Sequence, residues 1–191
     1  MKKLVCTLLP TLAIALVLGI TSRTAYAQDY PFALSYFSNA HASGAPDGVL
    51  RIVNDGNTGG WLYSNIYVFD NREELLECCS CGVSPNGLLT LSVNKNLTSN
   101  PLTGRIPTRG VIKTVSSTTS NPTRVTFRAG QREWLTHIQK ASTATTYAIT
   151  ESQMTDSTLG GIEFSTLQAD CSFAIVLGSG QGVCSCTDSG Q

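Results

Sequence analysis

Two tight groups of cysteines carry the chemistry this chain is best equipped to do. They are Cys78-Cys79-Ser80-Cys81 at mid-chain, then Cys171 and Cys184-Ser185-Cys186 near the C-terminus. Thiols grouped in this way either oxidise to disulfides or, as thiolates, hold a soft metal such as copper or zinc. A redox-active pair is a third possibility. An even count in an exported chain favours disulfides. Adjacent Cα atoms lie about 3.8 Å apart, below the usual range for a bridge, so Cys78 and Cys79 are poor partners for each other. If neither group pairs within itself, each of Cys78, Cys79 and Cys81 joins one of Cys171, Cys184 and Cys186. Such bridges close loops of about 90 to 110 residues, the first worth roughly 4–5 kcal/mol by chain entropy. The metal alternative rests on the same six thiols. Its spacing is not that of a zinc finger, and no histidine stands near either group.

No other constellation assembles a reaction. A cysteine nucleophile would need His41 or His137 as base. His137 reads as a strand residue within Trp134-Leu135-Thr136-His137-Ile138, and His41 as part of a solvated loop. No G-x-S-x-G elbow is present. Gly178-Ser179-Gly180-Gln181-Gly182 has the glycines of a phosphate loop but no lysine, and follows a helix pattern instead of opening one. Asp55-Gly56-Asn57-Thr58-Gly59 spaces oxygen ligands alternately yet lacks the closing acid of a calcium loop, so a turn is expected. Glu73, Glu74 and Glu77 read as a solvated charged edge. Asn96-Leu97-Thr98 is a glycosylation sequon. No catalytic residue is assigned.

The N-terminus supplies the compartment. Lys2 and Lys3 precede an apolar run from Leu4 to Ile20, and Ala25-Tyr26-Ala27 offers small residues where a signal peptidase cuts. Residues 1–27 are therefore expected to be a cleaved secretory signal, and residues 28–191 one β-rich domain that is secreted or periplasmic. Cleavage removes Lys2, Lys3 and Arg23 but no acid, which takes the formal charge from 0 to −3. Scattered charge of this sign disfavours nucleic acid, and no later apolar run reaches membrane-spanning length. Any partner is expected outside the cytoplasm or in the envelope.

Strands must position these cysteines. Phe32–Ser38, Val49–Val53, Trp61–Asp70, Leu75–Cys79 and Leu88–Val93 have strand composition, broken by turn residues at 54–60 and 85–87. In the third segment Leu62, Ile66 and Val68 share one face while Trp61, Tyr63, Tyr67 and Phe69 share the other, as expected for a strand covered on both sides. Residues 94–107 read as loop. Val111–Ser117 and Arg124–Arg128 read as an antiparallel pair, Glu133–Gln139 as either strand or helix, and Thr145–Thr150 as strand. From about Ile162 to Leu177, the residues Ile162, Leu167, Cys171, Ala174 and Leu177 recur at near-helical spacing. Ser157 is available as a cap and Gly178 as the C′ glycine. The expected fold is mainly β: an antiparallel sandwich or small barrel with one C-terminal helix, stapled by disulfides. An α+β sheet is the alternative.

The stretches Ile66–Asp70, Leu76–Cys81, Asn86–Val93, Cys171-Ser172-Phe173 and Val183–Cys186 resemble those of a group of uncharacterised secreted bacterial proteins. The resemblance implies bacterial origin and export, and brings no activity or site residue. The functional expectation is a non-enzymatic binding, adhesive or surface-structural domain, with loop aromatics or the 94–107 loop as its contact surface. A copper- or zinc-binding or redox protein using the six thiols is the alternative.

Overall fold

The computed structural model describes residues 30–141 and 143–188, so the expected signal segment lies outside the described residues. Nine strands, β1 (Tyr30–Ser38), β2 (Val49–Asn54), β3 (Leu62–Asp70), β4 (Leu75–Val83), β5 (Leu88–Ser92), β6 (Arg109–Ser117), β7 (Gln131–Gln139), β8 (Ala148–Gln153) and β9 (Thr155–Leu159), precede one helix, α1 (Gly161–Val176). The strands form two antiparallel sheets. The first runs β4-β3-β6-β1-β9 and the second β5-β2-β7-β8. They stack as a sandwich, and no closed barrel forms.

The alternation in β3 explains a third layer. Ile66 and Val68 enter the core between the sheets, whereas Tyr67 enters a second core beneath α1. The first sheet is thus covered on both faces. The helix presents Phe164, Leu167, Cys171 and Ala174 to that second core, at the three- and four-residue steps that keep side chains on one face. Ile162, expected on this face, is instead exposed, as is Leu177. Gly178 takes a φ of 63° just beyond the helix, and its N–H donates to the Ile175 carbonyl at 3.2 Å.

Several expectations are corrected. Arg124–Arg128 is no strand: Val125 and Phe127 pack against the helix-side core, and only a bridge from Ser117 to Phe127 survives. Glu133–Gln139 belongs to β7, and β8 starts at Ala148. Ser157 lies within β9 and caps nothing, since Gly160 occupies the N-cap without a side-chain bond. The 94–107 loop opens with a π-type turn, Val93–Leu97, where the Ser92 hydroxyl accepts from the Lys95 N–H.

The two sheets meet at both sides. On one side the chain passes from β8 to β9 through buried Met154, whose N–H donates to the Glu133 carbonyl at 2.9 Å. On the other, β4 and β5 are edge strands joined by a turn at Ser84–Gly87 in which Asn86 takes a φ of 59°. That second side leaves a seam that something must cover.

Candidate functional site

The C-terminal tail covers the seam, and the cysteines hold it there. Side chains alternate along β4, so Cys78 faces the helix while Cys79 and Cys81 face the inter-sheet core. The bridges follow: Cys78–Cys171 ties β4 to α1, and Cys79–Cys184 and Cys81–Cys186 tie it to the tail. Their Cα separations of 5.8, 5.3 and 5.3 Å are ordinary for disulfides. Both tail bridges span 105 residues because the tail runs parallel to β4 in constant register. The Cys78 N–H donates to the Gly182 carbonyl at 2.9 Å, and the Cys184 N–H to the Cys78 carbonyl at 3.3 Å. Farther along, the Ser185 N–H donates to the Asn96 carbonyl at 2.9 Å and the Asn96 amide to the Thr187 carbonyl at 3.1 Å. The tail therefore bridges an edge of each sheet.

Gly182 lets the tail reach that groove. Its φ is 78°, and a Cβ there would stand 2.9 Å from the Leu102 Cβ and 3.2 Å from the Ala174 Cβ. The sulfurs of Cys79, Cys81 and Cys186 lie within 4.8 Å of one another, near enough for a shared soft metal if reduced. Oxidised, they are bonded in two neighbouring bridges, with the Cys79 and Cys81 sulfurs 3.6 Å apart.

A cleft of about 240 Å³ opens between the sheets near the β8–β9 corner. Its geometry follows from the register. Asp156, Ala33 and Thr114 sit side by side across β9, β1 and β6, and the small Ala33 leaves space between two polar neighbours. Opposite them β7 turns Gln131 and Glu133 inward. Thr114 donates to Glu133 Oε1 at 2.7 Å, and the Gln131 amide donates to the same oxygen and to Ser64 Oγ. Glu133 is only 5% exposed. Burial pushes its carboxyl above the usual carboxylate range; the Gln131 and Thr114 hydrogen bonds oppose this, Asp156 adds to it, and Arg132 counters it weakly. Gln131 Oε1 and Ser116 Oγ are buried with no hydrogen-bond partner among the described residues. The arginines at the rim are turned elsewhere: Arg128 donates to the Thr58 carbonyl at 2.9 Å, and Arg132 Nε stands 3.9 Å from Asp55.

The remaining sequence candidates have structural places. Glu77 is not on a solvated edge; it is fully buried, with Oε1 accepting from the Asn100 N–H and Oε2 unpartnered among the described residues. Burial raises its carboxyl pKa to about 7, against the lowering effect of that bond. His41 takes a φ of 55° and its Nε2 lies 2.8 Å from Thr98 Oγ1. His137 is buried, stacked on Tyr36 at 4.4 Å between ring centroids and bonded through Nε2 to Ser152 Oγ. Asp55 accepts from the Asn57 backbone and side chain and organises the expected turn. Asn96 of the sequon is buried and bonded at both ends of its amide. The 94–107 loop is occupied in anchoring the tail and the β3–β4 turn, where Arg105 pairs with Asp70 and Glu74. Exposed aromatics stand on separate elements, Tyr36 on β1, Trp61 before β3 and Phe173 on α1. Glu133 and Gln131 carry no motif that marks them in the sequence. The available signal was their phase, two and four residues before the core residue Leu135.

No protein-family model and no curated protein matches the chain. Among solved structures, the Thermotoga maritima 1070 crystal structure is similar at 14% identity, with 68% of this chain and 93% of that one covered and a TM-score of 0.42. A likeness that loose carries no argument. Among the described residues no helix is long and apolar enough to cross a membrane.

Proposed function

We propose that this chain is an exported, non-enzymatic binding module whose stapled sandwich presents the inter-sheet cleft to a small ligand. One observation carries the reading: of the buried side-chain atoms without partners among the described residues, Ser116 Oγ and Gln131 Oε1 are the two that border the cleft and so converge on one open space. Unsatisfied buried polar atoms are costly, and a concave site with a few convergent polar groups is the usual form of a ligand pocket. The disulfides fix α1 and the tail to β4 of the first sheet, a rigid frame for one wall of the cleft, and rigidity of this kind suits pre-organised binding. Export, bacterial origin and residence in the periplasm or outside the cell belong to the same proposal. They are supported by the apolar N-terminal segment and by the disulfides themselves.

The test is amide chemical-shift mapping of the oxidised protein against separate panels of aliphatic amines, neutral sugars, carboxylates and nucleotides. Saturable shifts centred on β1, β6 and β7 around the cleft are expected from one class. Shifts from no class, or conversion of any of these compounds, would remove the reading. A second reading, a copper or zinc thiolate protein, is favoured by the three sulfurs gathered within 4.8 Å. It requires those bridges to be open in the working state.

A further inference from the structure

We propose that the cleft receives the ammonium end of an aliphatic primary amine, held between Glu133 and Asp156 with Gln131 Oε1 and Ser116 Oγ accepting its hydrogens. The inference rests on the cleft being a binding site and adds the chemistry of the ligand. Every free polar atom identified there can accept, which favours a guest rich in N–H or O–H donors. Both recorded bonds to Glu133 end on Oε1, leaving its second oxygen for the guest. Charge separates the donor-rich classes. Asp156 and Glu133 both line the cleft, Asp156 beside Ala33 and Ala33 beside Thr114, which donates to Glu133; a neutral polyol brings these two acids no counter-charge, whereas a cation does.

An anion is disfavoured by the same two acids: Arg128 and Arg132 stand at the rim, but Arg128 points its guanidinium to the Thr58 carbonyl and Arg132 Nε lies 3.9 Å from Asp55. At about 240 Å³ the space is smaller than most drug-sized pockets, so it suits a chain end more than a whole nucleotide or peptide. The methylenes next to the ammonium lie against Ala33 and Ala129, both in the lining. A free diamine and a lysine side chain share this chemistry.

The charged groups facing Glu133 are Asp156 from β9 and Arg132 on β7 itself, with Arg128 from the preceding loop. An ammonium favours the ionised carboxylate, so binding below the raised pKa of Glu133 must expel a proton. Affinity therefore rises with pH, by up to about tenfold per unit, and levels once Glu133 is ionised; the amine keeps its own charge to about pH 9.

The experiment titrates n-pentylamine, 1-pentanol, 1,5-diaminopentane and a capped lysine dipeptide into the oxidised protein, read by amide shifts and calorimetry from pH 4 to 8, a range that starts below the ordinary glutamate pKa. Expected are saturable shifts at Ala33, Thr114, Gln131, Glu133 and Asp156 with the amines, no response to 1-pentanol, and affinity rising with pH. Glu133→Gln should weaken binding at least tenfold and remove the pH dependence. Asp156→Asn, at an exposed position that cannot unfold the core, should weaken it several-fold and keep that dependence. Ala129→Trp, which fills the cleft from its rim, should abolish it. A stronger response to the diamine than to the lysine dipeptide identifies a free amine as the source, and the reverse identifies a side chain. Equal binding of pentanol, or unchanged amine affinity in both acid variants, would overturn the ammonium assignment while leaving a binding module standing. No ligand shifting the cleft would remove both.

Discussion

Removing the three bridges one at a time should reveal a hierarchy set by topology. By sequence alone Cys78–Cys171 closes 93 residues and each tail bridge 105, so all three look worth about 4.7 kcal/mol. The fold changes that. With Cys79–Cys184 in place, the path from Cys78 to Cys171 runs through the neighbouring bridge and the thirteen chain steps from Cys184 back to Cys171. The effective loop is about 14 residues, worth ~3 kcal/mol. For Cys81–Cys186 the same path is about four residues, worth ~2 kcal/mol or less at a length where the formula fails. Cys78 and Cys171 are also both fully buried between β4 and the helix, whereas in the tail pair Cys81 is buried and Cys186 exposed, so that pair leaves the smaller cavity. Replacing Cys78 and Cys171 adds a cavity cost of about 1 kcal/mol. The double variant Cys78→Ala/Cys171→Ala should therefore lose ~4 kcal/mol and Cys81→Ala/Cys186→Ala ~2 kcal/mol. Both leave no odd thiol to reshuffle. Urea denaturation of the purified oxidised variants measures the two losses. Equal losses, or a larger loss for the tail pair, would refute the effective-loop reasoning.

Glu77 binds its proton more tightly folded than unfolded, with a pKa of about 7 against 4.5. Its share of stability is complete below pH 4.5 and is lost as pH rises to about 7, by up to ~3 kcal/mol. Glu133 shifts in the same direction, so the difference between the wild type and Glu77→Gln isolates Glu77: near zero at pH 4.5 and favouring the variant at pH 8 by ~2 kcal/mol or more, read by urea denaturation across that range. Parallel pH curves for the two proteins would contradict the buried placement of Glu77. Gly182→Ala should cost ~2 kcal/mol or more, through positive φ and the Leu102 contact at 2.9 Å. Gly178→Ala, with nothing closer than 3.8 Å, should cost only ~1 kcal/mol by the same denaturation measurement. Tyr67→Phe leaves the Pro122 carbonyl without its 2.7 Å donor and should lower stability by ~1–2 kcal/mol; an unchanged midpoint would show that water replaces the hydroxyl.

Much of the fold is written in period and punctuation. The two apolar faces of β3 announce a strand covered on both sides, and the helical steps through Leu167, Cys171 and Ala174 locate α1. What escaped has physical reasons. Strand β9, Thr155-Asp156-Ser157-Thr158-Leu159, is an edge with only Leu159 buried, so no alternation marks it and Ser157 reads as a cap. Val125 and Phe127 alternate like a strand, yet their burial comes from packing near the helix, with the Phe127 and Phe164 rings 4.8 Å apart, not from a ladder. Glu77 is adjacent in sequence to acids on a turn but continues the buried run Leu76-Glu77-Cys78, and neighbouring charges masked that phase. The cleft depends on β1, β6, β7 and β9 meeting across two sheets, a long-range arrangement that no local window holds. The same is true of the parallel run of the tail along β4, which decides which cysteine meets which.

The most direct test is intact mass of the purified protein after alkylation, with and without prior reduction, measured alongside copper and zinc content. Once residues 1–27, which hold the seventh cysteine Cys6, have been removed, three bridges require a chain that takes up no alkylating groups before reduction and six after it, with no bound metal. Free thiols accompanied by stoichiometric copper or zinc would contradict the stapled binding module and make the two cysteine groups the functional site.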